Sequence, residues 1–485
     1  MLRSLPRALR AELLRTRRSA VAWLPLLGVL IGGLSVVLPA VASDRRDAAV
    51  LLSWQGMYIT GMAAPLTALF CVLAERRECA ARCGGTQWRP FSPATQRAAR
   101  VLVLAGLLGA FTALTFGPSW YAALLWGYDG AGAILLAGLA SWWGQVGVLC
   151  VFLLLGRFTG AVAPLLCAVA WQAAGLLCAE WPHWWAVPPA WPVRLELPLL
   201  GTHASLLPFS PDEPIPHPWP VLATCTLLNA VALAAAVACA PSSWWRAPGR
   251  GHQSGDASVG IAYSPGGSAA RLTRRGLLRV PVLAARRRGV YPLLLATLAV
   301  LAYAAAVYPP FVVTGLTTFL VLPLGTAILP MMAWGGLAPA WRIAVPRRPG
   351  LRGAVTLWHL GLVWIVCLAS ALGSVAAGES IGRAAARAAL WCATGTVLAL
   401  LWLLLTVRFS PGLALGVGVM GTIVSLTLGG DVLAATPLWL LAMPSWGESA
   451  LDPGRFPLAL ALCATLAAAL LPLLGRAYRR HEAVA

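Results

Sequence analysis

Residues 131–156 read AGAILLAGLASWWGQVGVLCVFLLLG, a run with no charged side chain. A hydrocarbon slab about 30 Å thick asks for about 20 such residues in a helix. The run is too long for a buried strand and too apolar for the half-solvated helix of a soluble domain. Working outward from it, five more runs precede the middle of the chain or close its first half, at 20–42, 51–74, 101–118, 158–179 and 219–240. Six others follow, at 289–308, 311–333, 354–376, 388–407, 411–430 and 456–475. The composition agrees: only 11% of the residues are charged, against about 25% in a soluble domain. The sequence therefore predicts an all-α, polytopic integral membrane protein with about 12 transmembrane helices. The first run, at 20–42, exceeds the apolar core of a secretion signal and reads as a retained helix.

The loops between these runs decide orientation. All 36 basic residues are arginine, and the chain has no lysine. A P-loop needs a lysine ammonium on the terminal phosphates, so this chain holds no standard Walker A site, and Schiff-base chemistry on lysine is excluded with it. With the N-terminus inside, 30 of the 36 arginines fall in inner segments and 11 of the 16 acids in outer ones. That bias predicts a multi-pass protein with both termini cytoplasmic. The net charge of +20 is then topological information and contact with anionic lipid headgroups, and no nucleic-acid partner is expected.

Three anchors recur. Residues 14–21, LRTRRSAV, match 283–290, LAARRRGV; Trp88-Arg89 followed by Pro93 matches Trp341-Arg342 followed by Pro346; Arg157-Phe158-Thr159 matches Arg408-Phe409-Ser410. Each pair lies at an equivalent point of its half, which predicts two six-helix repeats. Six is even, so the repeats are parallel, related by an axis along the membrane normal. The predicted domains are a first six-helix unit over 1–245, a flexible, basic, Gly/Ser-rich cytoplasmic linker over 246–285, and a second six-helix unit over 286–485.

Several features bear on mechanism. Leu2, Leu5, Leu9 and Leu13 share one face of an arginine-rich segment, the pattern of an interfacial amphipathic helix. The inner segment from Glu75, Arg76, Arg77 and Glu78 through Trp88, Arg89 and Pro93 mixes both charge signs with aromatics and prolines, the residue types that anchor a protein partner; the bland alternative is a headgroup-facing loop. Cys79 and Cys83 are four apart without a nearby histidine, so no metal is expected there. Outside, Trp181, Trp184 and Trp185 in one half and Trp439 and Trp446 in the other suit either a membrane-interface belt or a lip for an amphipathic substrate. Inside the runs only His359, Asn229, Gln145 and Gln172 stand out as polar, and no acid or arginine lies well within them. Ion-driven carriers usually carry such groups. No motif supports catalysis by this chain.

The basic amphipathic start, Glu12-Leu13-Leu14-Arg15-Thr16-Arg17-Arg18 running into the first span, and then a Glu-containing inner loop with Trp-Arg and Pro before the third span, resemble the type 2 ABC exporter permeases, particularly the lantibiotic-type group. The resemblance covers the first half and reaches the second through its repeat. It implies two permease units fused in one chain, no cofactor bound by the chain, and ATP hydrolysed by a separate ABC ATPase subunit, a dimer of nucleotide-binding chains, docked on the cytoplasmic side. It makes Glu75, Arg76, Arg77, Glu78, Trp88, Arg89 and Pro93 the coupling region, with Trp341, Arg342 and Pro346 as the second half's counterpart, which lacks the acids. It also implies export of an amphipathic or hydrophobic compound, antimicrobial peptides included, across the plasma membrane, as in antibiotic resistance or immunity. The rivals are a twelve-span secondary, ion-coupled drug transporter, similar to the major facilitator group but lacking its short Gly-Asp-Arg-rich loop, and a non-transporting membrane immunity or scaffold protein.

Overall fold

The structure is a computed structural model that describes residues 4–17, 19–42, 47–80, 91–159, 162–210, 212–213, 215–239, 274–286, 289–338, 341–347, 350–409, 411–428 and 437–484. Among these residues nine helices are long and apolar enough to cross a membrane, ten when one bent pair is taken as a single span. The polytopic, all-helical membrane architecture read from the sequence is present. Of the twelve runs, 158–179 falls on the shorter helix Val162–Cys178, and 411–430 on Pro411–Leu428, which stops where the described residues stop.

The chain divides into two compact units, Met1–Val259 and Gly260–Ala485. In the first, the helices are α1 (Leu5–Arg17), α2 (Leu26–Ala42), α3 (Ala48–Gly61), α4 (Ala63–Ala80), α5 (Pro93–Leu125), α6 (Ala131–Thr159), α7 (Val162–Cys178), α8 (Ala190–Leu200) and α9 (Pro218–Ala238). α6 is central and packs on α4, α5, α7, α8 and α9. Its small residues allow that closeness: a Cβ at Gly147 would lie 2.6 Å from Asn229 Oδ1 of α9.

The second predicted span is the bent pair, α3 and α4, which meet at 56°. Pro65 stands in the first turn of α4 and has no N–H to continue the ladder of α3. The freed backbone groups are answered from α7. Gln172 Nε2 donates to Ile59 O (3.0 Å) and Thr60 O (2.7 Å), and its Oε1 accepts from Ala64 N (2.9 Å). One amide thus satisfies three buried backbone groups that lipid would leave unpaired. Gln172→Leu should cost about 1–3 kcal/mol in thermal unfolding in detergent, because the partners stay buried; a loss below about 0.3 kcal/mol would show that something else closes the break.

The second unit contains α10 (Arg274–Arg286), α11 (Val290–Val307), α12 (Pro310–Leu316), α13 (Leu322–Leu337), α14 (Trp341–Arg347), α15 (Leu351–Ala376), α16 (Ile381–Arg408), α17 (Pro411–Leu428) and α18 (Arg455–Val484). A π-helical turn, Thr317–Val321, joins α12 to α13. An indole donor from α16 reaches the wider turn, Trp391 Nε1 to Thr318 Oγ1 (3.0 Å), and a second, Trp402 Nε1, donates to Thr326 Oγ1 of α13 (3.2 Å).

Three boundaries differ from the sequence reading. The last part of the predicted linker is the helix α10, in spite of Pro281 inside it; the rest of the linker, 246–273, lies outside the described residues. α4 runs on to Ala80 and α5 begins at Pro93, so the charged ends of the inner segment are helical. The outer segment after α7 contains the helix α8, whose prolines 192 and 198 masked it in the sequence.

Candidate functional site

At one end of the first unit, α1, α4 and α5 bring six charged side chains together. α1 turns Ala8, Glu12 and Thr16, four residues apart, toward the unit, while Leu13 and Leu14 are exposed and Leu5 and Leu9 half-buried. The leucine face is therefore shared between protein and surroundings, and an acid occupies the buried side. Glu12 is only 3% exposed, Glu78 5% and Arg100 6%.

The pairing is dense. Arg15 Nη1 is 3.0 Å from Glu12 Oε2, and its other terminal nitrogen bonds Glu78. Arg77 bonds Glu12 and donates to Thr16 Oγ1 at 2.8 Å. Arg100 reaches Glu75 Oε1 (2.9 Å) and Glu78 Oε2 (2.9 Å) and lies 4.0 Å from Glu12 Oε1. Three acids, Glu12, Glu75 and Glu78, thus face three bases, Arg15, Arg77 and Arg100, and the set is neutral. Buried charges persist only when paired in this way, so the network fixes α1 to α4 and α5.

Of the residues singled out in the sequence, Glu75, Arg77 and Glu78 are members of this network, packed inward and bonded to one another's partners, and Arg76 is half-buried beside them. Pro93 is the first residue of α5, behind the N-cap Ser92, whose hydroxyl accepts from Thr95 N at 3.2 Å; its preset φ suits that position. Trp88 and Arg89 lie outside the described residues. The coupling region implied by the resemblance ended at Arg100 without singling that residue out, and the sequence reading assigned no pairing role to Glu12 or Arg15. The signal was a four-residue spacing of Ala8, Glu12 and Thr16 that competes with the more conspicuous leucine pattern.

In the second unit, aromatic packing surrounds Trp341. Trp341, wholly buried at the start of α14, stacks on Tyr478 with ring centroids 5.1 Å apart and meets Trp334 edge-on at 4.8 Å. Arg352 forms a bidentate pair with Glu482 (2.9 and 2.5 Å). Pro346 is exposed on α14, which also carries Arg342.

At the other end of the first unit, Trp181 and Trp185 are exposed, and Trp184 is half-buried under the guanidinium of Arg194, 4.8 Å from its ring. The second unit differs from the lip expected there. Trp439 and Trp446 are buried against each other, with Trp446 Nε1 donating to Trp439 O at 2.9 Å. Beneath them Arg387 pairs with Glu379 (2.9 Å) and Glu448 (2.5 Å) and donates to Gly447 O (3.1 Å). These two indoles serve the unit's own core, because the buried arginine draws the segment 446–449 inward.

The in-span polar groups are also engaged. Gln145 accepts from Thr67 Oγ1 (3.1 Å), Asn229 donates to Trp143 O (2.9 Å), and His359 Nδ1 lies 2.8 Å from Val355 O within its own helix. No protein-family model matches the chain, and no curated protein matches it.

Proposed function

We propose that this chain is the membrane-spanning permease component of an ATP-driven exporter, made of two fused, parallel six-helix units, with hydrolysis on a separate ABC ATPase docked at the cytoplasmic face. The observation that carries the reading is the neutral ion network of α1, α4 and α5, on the side where most arginines lie. It ties the helices flanking segment 81–90 into one rigid lever, so a push on that segment moves α1 and α5 together. The six acids and bases of the lever are occupied with one another, which leaves the loop between α4 and α5, including Arg89, as the part that a partner touches. The order of the described helices supports the repeat: each unit has a short leading helix, a span, a second span bent at α3–α4 in the first unit and carrying a π-helical turn in the second, two long helices, a shorter apolar helix and a closing helix, with α14 in the second unit alone. The cargo is an amphipathic or hydrophobic compound, and the exposed indoles of Trp181 and Trp185 suit its release at the outer membrane interface. The membrane is the plasma membrane, with both termini inside.

The test is purification of the tagged chain from its native cells. A P-loop ATPase should be retained, and vesicles containing the pair should move substrate only with ATP. A chain that never retains an ATPase, and whose transport follows a proton gradient without ATP, overturns the reading. Charge reversal sharpens it: Arg89→Glu should lower ATPase retention at least about fivefold, a coupling of about 1 kcal/mol, while Arg45→Glu with Arg46→Glu should not. Equal effects would remove the docking role. Arg77 is unsuited to this comparison, since it bonds Glu12 and Thr16.

A further inference from the structure

Among the described residues of the first unit, Glu196 is the one acid buried without a base. It sits on α8, the 11-residue helix that packs between α3, α6, α7 and α9, and is 1% exposed. α8 is held by close backbone approach on several sides. A Cβ at Gly175 of α7 would lie 2.5 Å from Pro189 O, just ahead of α8, and one at Gly144 of α6 would lie 3.3 Å from Pro192 Cβ. Gly201, with φ +67°, ends the helix as a left-handed cap whose N–H donates to Leu197 O at 3.0 Å.

The groups around the Glu196 carboxyl are named by the helices that bear them. α3 brings Tyr58 and α6 brings Ser141, which faces both the Tyr58 hydroxyl and the carboxyl. α9 brings Cys225. α3, α7 and α9 contain no charged residue, and the only one on α6 is Arg157, which donates to Ala236 O and Cys239 O at the C-terminal end of α9. On α8 itself, Arg194 is turned away, donating to Ala179 O at 2.5 Å. At the rim, Glu180 and Glu213 are taken up by the two ring nitrogens of His203 at 3.1 Å each. Glu196 Oε2, the Tyr58 hydroxyl and the Ser141 hydroxyl are all buried and lack a well-formed hydrogen bond.

An ionised carboxylate at this place would be an isolated charge away from water, at a cost of several kcal/mol. The neutral acid costs far less and has one O–H to give to a hydroxyl. Burial accordingly pushes the Glu196 carboxyl well above the usual carboxylate range.

We propose that Glu196, with Tyr58 and Ser141, is a proton-binding site that latches α8: the carboxyl carries one proton while α8 is seated, and α8 leaves its seat as that proton passes to the solvent on the α8 face. The balance is simple, since the carboxylic O–H bond breaks, the proton goes to water and the carboxylate is hydrated outside the seat. The sign of the pH effect follows. A raised folded value means that the seated state binds more protons, so the seat is strongest in acid and weakens as pH rises past the ordinary carboxylate range. The site is independent of the energy source of transport, and its test does not require an ATPase.

Cys225, buried next to Glu196 on α9, is a native reporter of the seat. The full chain in lipid nanodiscs is treated with a small, water-soluble methanethiosulfonate from pH 6 to 9, and modification of Cys225 is read by mass spectrometry. The ratio of wild-type to Glu196→Gln rates removes the titration common to both proteins, and the field of an ionised Glu196 slows the thiol, against the expected rise. That ratio should rise about tenfold or more across the range, because the glutamine stays neutral and seated. Gly175→Leu, which crowds Pro189, should open Cys225 at every pH and so shows that the reagent reports the seat. In addition, infrared spectra at neutral pH should show a protonated carboxyl band in the wild type that Glu196→Gln removes. A flat ratio with Gly175→Leu reactive, or the absence of that band, overturns the proposal.

Discussion

Arg100→Met is expected to destabilise the first unit by about 3–5 kcal/mol, the range for removing one partner of a buried ion pair. Arg100 answers Glu75 and Glu78 at 2.9 Å each, so its loss leaves the network with one negative charge too many inside a site that water hardly reaches. Methionine fills the space of the stem, which separates the charge effect from a cavity. The decisive comparison is a double variant. Adding Glu75→Gln restores neutrality and should recover half or more of the loss, measured as thermal unfolding in detergent. A double variant as unstable as the sum of the two single ones would mean that the residues act separately. The functional consequence is larger than the energetic one. With α1 no longer fixed to α5, ATPase activity should survive while substrate movement fails.

Arg387→Leu is the second large effect, about 3 kcal/mol in the second unit, because it takes the base from the partly buried Glu448 and leaves the buried Glu379 carboxylate only the exposed Arg383, 3.9 Å away. Arg387 also donates to Gly447 O, and its loss frees the turn Trp446–Ser449 from α16. The expected readout is local: protease sensitivity and thiol labelling between residues 437 and 450 should rise before global unfolding. Both outer segments are thus fastened by a buried ionisable group, a paired arginine in the second unit and an unpaired acid in the first. Only the latter should answer to pH in the accessible range. If Arg387→Leu leaves the segment as protected as before, the aromatic pair Trp439 and Trp446 holds it alone.

The apolar runs made the helices legible, since hydrophobicity over 20 residues is a collective signal that tolerates local exceptions. What the sequence concealed depends on distant partners or on short elements. The break between α3 and α4 is made by Pro65 but stabilised by Gln172, more than 100 residues away, and no local pattern announces that pairing. Glu75 to Glu78 looked like loop because charge ends an apolar run, whereas here the charges are neutralised by Glu12, Arg15 and Arg100 and the helix continues. α8 was hidden among prolines and tryptophans, and with it Glu196, which read as an ordinary outer acid. The resemblance to exporter permeases put the acids of this inner segment at a docking surface, whereas Glu78 is buried and Glu75 half-buried, both paired with Arg100.

The end of the first unit carrying α1 and the segment between α4 and α5 is expected to face the cytoplasm, where nucleotide is spent. Labelling of Cys79 and Cys83 with a membrane-impermeant thiol reagent, followed by mass spectrometry of that peptide, tests it directly. Labelling is expected in permeabilised cells and none in intact ones. Labelling of those two cysteines in intact cells would contradict it.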